Sequence, residues 1–472
     1  LNVHSCVGLR HRIGSGSFVF QDRLIRLRCF LVFKMLTTRD CRMPFDQSHG
    51  APQRIAIIGG GISGLAAARL LSRHHQITLY EAEPRLGGHA RTVHAGRHGD
   101  RAVDTGFIVF NYSNYPHFTA MLRDLDVPVE KSDMSFGVSL NGGRLEYALR
   151  SADALFAQRR NLVIPGFYGM VRDIVRFNAR AEAEMESAPG LTITDLLDRM
   201  RLGRRFREHY LFPICGAIWS TPSDVIGSFP AHALIGFLRN HALMSKGGAH
   251  QWWTISGGSA AYASRLTASL LRHGVAIRPG TAVQFVKRDG IGVLLHAPGC
   301  EPERFDQVIF ATHADQTLAM LADPSGQERA ALAAVRFQAN RALLHRDPQV
   351  MPRRRRCWSS WVYRGGPDET TGGGIGVSYW MNRLQNIPED DPLFVTLNPR
   401  VVIPDEAVYD EVTFHHPVFD QAALVAQGQI AALQGQRGTW FAGAWLRNGF
   451  HEDGFASAVR IARQLVPKRA VP

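Results

Sequence analysis

Three things are scarce in this chain: paired cysteines, long apolar runs and acids. Cys6, Cys29, Cys41, Cys215, Cys300 and Cys357 are scattered, with no C-x-x-C or zinc spacing, which argues against a disulfide framework or zinc module and fits a cytoplasmic setting. No apolar run reaches the roughly 20 residues that cross a bilayer, so the sequence offers no candidate spanning helix. The histidines form no H-x-x-x-H pair with an acidic partner, no metal is expected, and His415-His416 reads as a strand pair. Acids number 41 against 54 bases, a net charge of +13, yet no nucleic-acid-binding motif accompanies that charge.

Much of the excess sits in residues 1–53; before Met43, Arg10, Arg12, Arg23, Arg26, Arg28, Lys34, Arg39 and Arg42 face only Asp22 and Asp40. This segment is expected to be an N-terminal extension outside the enzyme, disordered or produced by a mistaken upstream start, with translation beginning at Met43 or else Met35. The alternative is that Phe18 to Met35, apolar residues mixed with arginines, lies on a membrane surface. The rest is ordinary for a globular protein, with 45% hydrophobic and 20% charged residues, and 472 residues favour two intertwined domains over one core.

The richest signal lies between Arg54 and Thr92. Ile55, Ile57 and Ile58 form a β-branched run, and Gly59, Gly61 and Gly64 supply a G-x-G-x-x-G turn that opens a helix at Ile62 and Ser63. Free amides and the helix dipole at such a start bind a pyrophosphate. Gln76 to Tyr80 returns as a second strand, and Glu81, next to Ala82, stands about 20 residues on, where a carboxylate accepts from both ribose hydroxyls. A bound dinucleotide is the expectation.

Arg85-Leu86-Gly87-Gly88-His89-Ala90-Arg91-Thr92 resembles the R-x-G-G-R-x-x-T extension of flavoproteins in the amine oxidase, protoporphyrinogen oxidase and phytoene desaturase superfamily, with His89 where arginine is usual. Asp104 to Asn111 resembles that superfamily's D-x-G stretch, in which Thr105 and Gly106 pass the flavin. Thr439 to Trp445 and Gly449 to Ala458 resemble its closing segment: a strand ending at Gly443, then a helix whose first amides, near Glu452 and Asp453, face the flavin. Residue Val283 matches the position that contacts adenine through its backbone. The resemblance implies an α/β fold: a Rossmann-like FAD-binding domain of the glutathione reductase/amine oxidase type, interleaved with an α+β substrate domain containing an antiparallel sheet. It implies FAD held by Gly59, Gly61, Ile62, Ser63, Gly64, Glu81, Ala82, Arg85, Gly87, Gly88, His89, Arg91, Thr92, Thr105, Gly106, Val283, Gly443, Glu452 and Asp453, with Arg85 and Arg91 meeting phosphate charge. No cysteine lies near the closing segment, so the flavin is expected to be non-covalent.

The cofactor domain is expected in three pieces, 54–112, 251–315 and 436–472, and the substrate domain in two, 113–250 and 316–435. Ser135 to Leu149 reads as a hairpin around Asn141-Gly142-Gly143, and residues 152–240 read as mostly helical with a break from Pro213 to Pro222. Residues 335–434 read as strands building a roof over the flavin, with Trp358, Trp361, Tyr363, Tyr379 and Trp380 clustered there.

A flavin takes hydride from a positioned C–H bond, so the chemistry needs few side chains. His451 and Glu452 are the candidates for proton handling, with capping or packing as the alternative for each. Amine oxidases of this superfamily carry a lysine near the flavin, but the matching stretch, Phe337 to Ala342, has none. The chain is most similar to a bacterial branch associated with cyclopropane and other modified fatty acids. That implies desaturation or a related oxidation of an acyl chain; a true amine oxidase and a non-catalytic flavoprotein supporting a partner enzyme remain open. Arg353 to Arg356 offers peripheral contact with an anionic membrane, or else an ion-paired turn.

Overall fold

The computed structural model describes residues 51–188, 190–219, 226–240, 244, 250–365 and 376–466, so the expected extension lies almost wholly outside the described residues. The strands that organise the molecule are β1 (Arg54–Ile58), β2 (Gln76–Tyr80), β3 (Phe136–Leu140), β4 (Leu145–Ala148), β5 (Ala276–Arg278), β6 (Gln307–Phe310), β7 (Phe337–His345), β8 (Trp361–Gly365), β9 (Gly376–Trp380), β10 (Phe394–Leu397), β11 (Val408–Pro417) and β12 (Thr439–Phe441). The helices used below are α1 (Ile62–Leu71), α2 (Pro116–Asp124), α3 (Pro165–Glu186), α4 (Phe212–Trp219), α5 (Ala231–Asn240), α6 (Ala260–Arg272), α7 (Gln421–Leu433) and α8 (His451–Leu465).

Five parallel strands in the order β5-β2-β1-β6-β12 form the first sheet. Ile55 to Ile58 in its centre are buried, as expected of a strand covered on both faces. Three distant stretches of chain supply these strands, so this sheet is assembled from all three expected cofactor pieces. Arg288 helps to close it. Its guanidinium, 2% exposed, forks onto Glu328, 3% exposed, and donates to Thr439 Oγ1 at 3.2 Å beside β12. Removing one partner of a buried pair strands the other charge, so Arg288→Met should lower unfolding free energy by about 3–5 kcal/mol; denaturant titration measures it.

The second sheet has seven strands in the order β11-β7-β10-β9-β8-β3-β4. Its neighbours are antiparallel except β8 and β3, which run parallel, with Trp361 beside Phe136. The β3–β4 hairpin is the one read from Asn141-Gly142-Gly143, and all three turn residues have positive φ. The two substrate pieces meet in this sheet.

Two local expectations are corrected. Residues 421–433 form helix α7, not strand: the Asp420 carboxylate accepts the Ala423 amide at 2.9 Å, and the alanine-rich sequence that follows favours helix. Pro213 does not break the helical run. A π-helical turn, Arg207–Leu211, leads straight into α4, and the Tyr147 hydroxyl donates to the His209 carbonyl, four residues back, which Pro213 cannot serve. Residues 220–222, the remainder of the expected break, lie outside the described residues.

The aromatic cluster divides across the sheet. Trp358 and Trp380 meet edge to face at 5.2 Å on one side, while Trp361 and Tyr379 meet at 4.9 Å and pack with the main core on the other. The arginine run is engaged with acids: Arg354 pairs with buried Glu146 at 2.8 Å, Arg355 with Glu389 at 2.8 Å, and Arg356 approaches Asp153 at 3.5 Å. Arg355 also lies over the Trp358 ring at 3.7 Å. No helix among the described residues is long and apolar enough to cross a membrane.

Candidate active site

The carboxyl ends of the parallel strands converge on the glycine turn. Glu81, just past β2, accepts the Gly60 amide at 2.6 Å and the Glu83 amide at 2.8 Å, so both carboxylate oxygens are fixed beside the turn. Next to it, Ala82 is exposed. The segment before Val283 docks on the same corner, with the Gly280 amide donating to the Glu83 carbonyl and the Thr281 amide to the Glu81 carbonyl.

The three glycines have separable reasons. A Cβ on Gly59, whose φ is +107°, would lie 2.6 Å from the Ala311 carbonyl oxygen, and one on Gly64 would overlap the Gly59 carbonyl oxygen. Both are required by the protein itself. Gly61 has φ −73° and ψ −175°, open to any residue, and a Cβ there would meet no atom of the described residues within 4 Å. Its bare flank is a cradle that the protein does not fill. Helix α1 starts there with no side-chain cap and no acid in its first turn, leaving the Ile62 and Ser63 end electropositive. The glycine doublet lies alongside: the Gly87 amide donates to the Gly60 carbonyl at 2.8 Å, and a Cβ on Gly88 would touch only Gly61. These features fit a dinucleotide pyrophosphate.

The expected phosphate-binding arginines hold protein groups. Arg85 donates to the Gly88 carbonyl at 3.0 Å and so pins the doublet, and it pairs with Glu83 at 3.2 Å. Arg91 forks onto Asp410 of β11 at 2.5 and 2.9 Å and touches Thr105 Oγ1 at 3.2 Å, tying the loop to the second sheet. Gly106 was expected to make room for the flavin; the structure gives a different reason, because a Cβ there would overlap the His89 carbonyl. Thr92 donates to buried Asp104 at 2.6 Å, and the Ser259 amide and hydroxyl reach the same carboxylate at 2.7–3.0 Å. Burial pushes the Asp104 carboxyl up to about 6.

At the other end, the Gly443 amide donates to Ser457 Oγ at 3.0 Å, joining the end of β12 to α8. Gly454 lets α8 cross α1 closely: a Cβ there would lie 2.8 Å from Ile62 Cγ2 and Ser63 Oγ. Asp453 accepts the Phe450 amide at 3.0 Å and caps its own helix. Glu452 accepts the His117 and Phe118 amides at 3.0 and 2.9 Å, which makes it the N-terminal cap of α2. Burial nevertheless raises it to about 7. Glu452→Gln keeps one amide-accepting oxygen, so it should cost about 1 kcal/mol of stability and leave flavin content unchanged; a thermal melt and a flavin assay on one preparation check both.

His451 is enclosed by aromatics. It stacks on Phe107 at 3.8 Å, meets Phe118 edge to face, and its Nε2 lies 2.5 Å from the Tyr262 hydroxyl. Burial drives the imidazole down to about 3, so it is neutral and suited to accept from Tyr262. A second group of imidazoles surrounds His89, which stacks on Phe414 at 4.8 Å, with His416 at 5.7 Å and His313 at 6.2 Å. His89 Nε2 is buried and has no hydrogen-bond partner among the described residues. Burial lowers His313 and His416 to about 4 and His89 well below its ordinary value.

In Phe337 to Ala342, the part of β7 matched to the lysine-bearing stretch of amine oxidases, the fully buried polar residue is Asn340. Asn398 Nδ2 donates to Asn340 Oδ1 at 2.8 Å, which leaves Asn340 Nδ2 to donate to His416 Nδ1 at 2.9 Å. This relay places the proton of neutral His416 on Nε2. Sequence reading missed His313, Phe414, His416, Tyr262 and Asn340. Only His313, directly after the strand end Ala311-Thr312, carried a local signal.

Beyond this site, a cavity of about 400 Å³ lies between α3, α4, α5 and the second sheet. Phe177, Tyr210, Leu211, Ile214, Ile218 and Leu238 form its helical wall, and Phe136 and Trp361 its sheet side. Ala217 and Trp361 of its lining also pack with the core cluster that holds Phe118, Tyr262 and Phe414.

Comparison with known proteins agrees with this geometry. The family model for flavin containing amine oxidoreductases matches residues 62–345. Carotenoid phi-ring synthase of Streptomyces griseus is 31% identical over 169 residues, 32% of this chain and 32% of its own length. Polyamine oxidase 5 of Oryza sativa subsp. japonica is 28% identical over 158 residues, covering 33% and 31% respectively. The chain thus spans about a third of the length of these relatives. Among solved structures, a CLA-producing fatty acid isomerase from P. acnes superimposes with a TM-score of 0.61 at 16% identity, and cyclohexylamine oxidase from Brevibacterium oxydans with 0.63 at 15%. Each alignment covers 88% of this chain and 99% of the other, a likeness of fold. With the glycine turn, the closing helix and the family match in agreement, the chain belongs to the flavin containing amine oxidoreductase family.

Proposed function

We propose that this enzyme takes a hydride from a C–H bond of an apolar, acyl-chain-like substrate, as a desaturase or related C–H oxidase, with FAD held non-covalently. The observation that carries the reading is the cavity: its volume, about 400 Å³, is that of a small-molecule site, and its wall is mostly aliphatic and aromatic. Asp133, the one carboxylate in the lining, accepts from Ser360 Oγ at 2.8 Å and lies 3.5 Å from Arg383, so it is not left to anchor an ammonium group. The neutral imidazoles and Asn340 add no charge near the expected flavin. Two similar proteins, a fatty acid isomerase and a carotenoid phi-ring synthase, are named for lipid-like molecules, which supports the same class.

A bound flavin supplies the hydride acceptor. The chain's own residues hold the substrate and exclude water, while Tyr262 and neutral His451 keep a fixed hydrogen bond beside α8. Of the described cysteines, Cys215 and Cys357 are buried, Cys300 is exposed, and none lies in the closing segment, which supports a dissociable cofactor. Under anaerobic conditions, long-chain unsaturated fatty acids should bleach the oxidised flavin, whereas putrescine and cyclohexylamine should not. Bleaching by the amines alone would overturn the reading. Acid precipitation should release all of the flavin into the supernatant.

A further inference from the structure

The cavity has a polarity of its own. Of its lining residues only Leu149 and Arg150 are exposed, so its mouth lies there. Arg150 donates to the Arg356 carbonyl at 3.2 Å, and among the described residues no carboxylate lies within ion-pair distance of it. The nearby acid, Asp153, is shared: Arg159 pairs with it at 2.8 Å, Arg356 approaches at 3.5 Å, and Arg150 also acts on its charge. Three guanidiniums around one carboxylate leave the rim with a surplus of two positive charges. Inside, Trp361 Nε1 is buried and has no hydrogen-bond partner among the described residues, although most buried donors in folded proteins have one.

We propose that this cavity binds an anionic amphiphile: an acyl chain lies along the apolar wall, Arg150 holds its carboxylate or phosphate head group at the mouth, and Trp361 offers its N–H to an oxygenated or unsaturated position of the chain. This rests on the acyl-chain reading above and adds the head group and the direction of entry, tail first. A guanidinium meets a carboxylate or a phosphate with paired, charge-assisted hydrogen bonds. The same rim repels an ammonium group, so the cavity discriminates against amines before any chemistry.

The test uses the full chain with its flavin bound, and displacement of cis-parinaric acid as the readout, below the critical micelle concentration. Oleate should displace the probe, and methyl oleate and oleylamine should bind about tenfold or more weakly, the loss expected for one charge-assisted contact. Arg150→Glu should weaken oleate by at least about tenfold and leave methyl oleate unchanged. Ala217→Phe, filling the inner end, should weaken both ligands without altering flavin content. Oleoyl lysophosphatidate against oleate decides between the two head groups, the tighter one being the natural chemistry.

Equal binding of oleate by wild type and Arg150→Glu would overturn the proposal, as would oleylamine binding as tightly as oleate. Because no turnover is involved, the two readings fail separately. Oleate that binds through Arg150 but never bleaches the flavin overturns the redox reading, whereas bleaching that is indifferent to Arg150 overturns the head-group site.

Discussion

Gly61→Val should yield a folded protein that purifies without flavin. At φ −73° and ψ −175° a β-branched residue suffers no backbone strain, and the new side chain would project where no atom of the described residues lies within 4 Å of its Cβ. The fold therefore has no reason to object, while a pyrophosphate at the start of α1 would lose its space. FAD affinity should fall by at least ~100-fold, about 2.7 kcal/mol, with the melting temperature of the apoprotein unchanged. Gly64→Ala is the contrast. Its Cβ would overlap the Gly59 carbonyl oxygen, so that variant should fail to fold whether or not FAD is present. Flavin content and thermal melts of the two variants separate a glycine kept for a ligand from one kept for packing. Gly61→Val that retains full flavin would remove the cradle from the account.

The second large effect is loss of stability in acid. His313 and His416 titrate near 4 and His451 near 3 in the folded protein, and His89 lies well below its ordinary value, all chiefly through burial. Unfolding returns each ring to a pKa near 6.5, so between that pH and about 4 the unfolded chain binds more protons. Stability is then fully present above pH 6.5 and is lost as pH falls.

Asp104 and Glu452 act in the opposite sense. Their folded values, about 6 and about 7, exceed the ordinary carboxyl range, so they favour the folded state at low pH and lose that contribution as pH rises. His345, also lowered to about 4 by burial, makes five such imidazoles, set against the two carboxyls and a further upward shift at Asp453. About two to three protons thus favour unfolding near pH 5 to 6, or roughly 3–4 kcal/mol per pH unit. That is a large share of an ordinary domain's stability. Denaturant midpoints should drop steeply from pH 6.5 to pH 5, and His313→Gln should make the slope shallower by about one proton. A flat profile over that range would show that the imidazoles are not held neutral.

The parts legible in the sequence are those in which neighbours along the chain are neighbours in space. Strand β1, the glycine turn, α1 and β2 follow one another, and Glu81 reaches Gly60 across only 21 residues. The hairpin at Asn141-Gly142-Gly143 and the start of α8 at His451 are equally local. The imidazole group was hidden because its members come from residues 89, 313 and 416, and only pairing of β7 with β11 beside the glycine doublet assembles them. Capping of α2 by Glu452 spans more than 330 residues, so the acid read as a catalytic candidate when its partner amides could not be seen.

Arg91 had a motif-based expectation of phosphate, but Asp410, which holds it, lies in β11, far along the chain. Pro213 carried a correct local rule, the missing N–H, and its compensation by Tyr147 comes from β4 of the second sheet, 62 residues before His209 in the chain. Helix α7 departs from the strand pattern around it because Asp420 caps its first turn.

The central claim is that the bare flank of Gly61 exists for a flavin dinucleotide, and the direct measurement is flavin stoichiometry in the purified chain after incubation with FAD. The account predicts one FAD per chain, released intact on acid denaturation and absent from Gly61→Val. A wild-type protein that binds no flavin after reconstitution would contradict it.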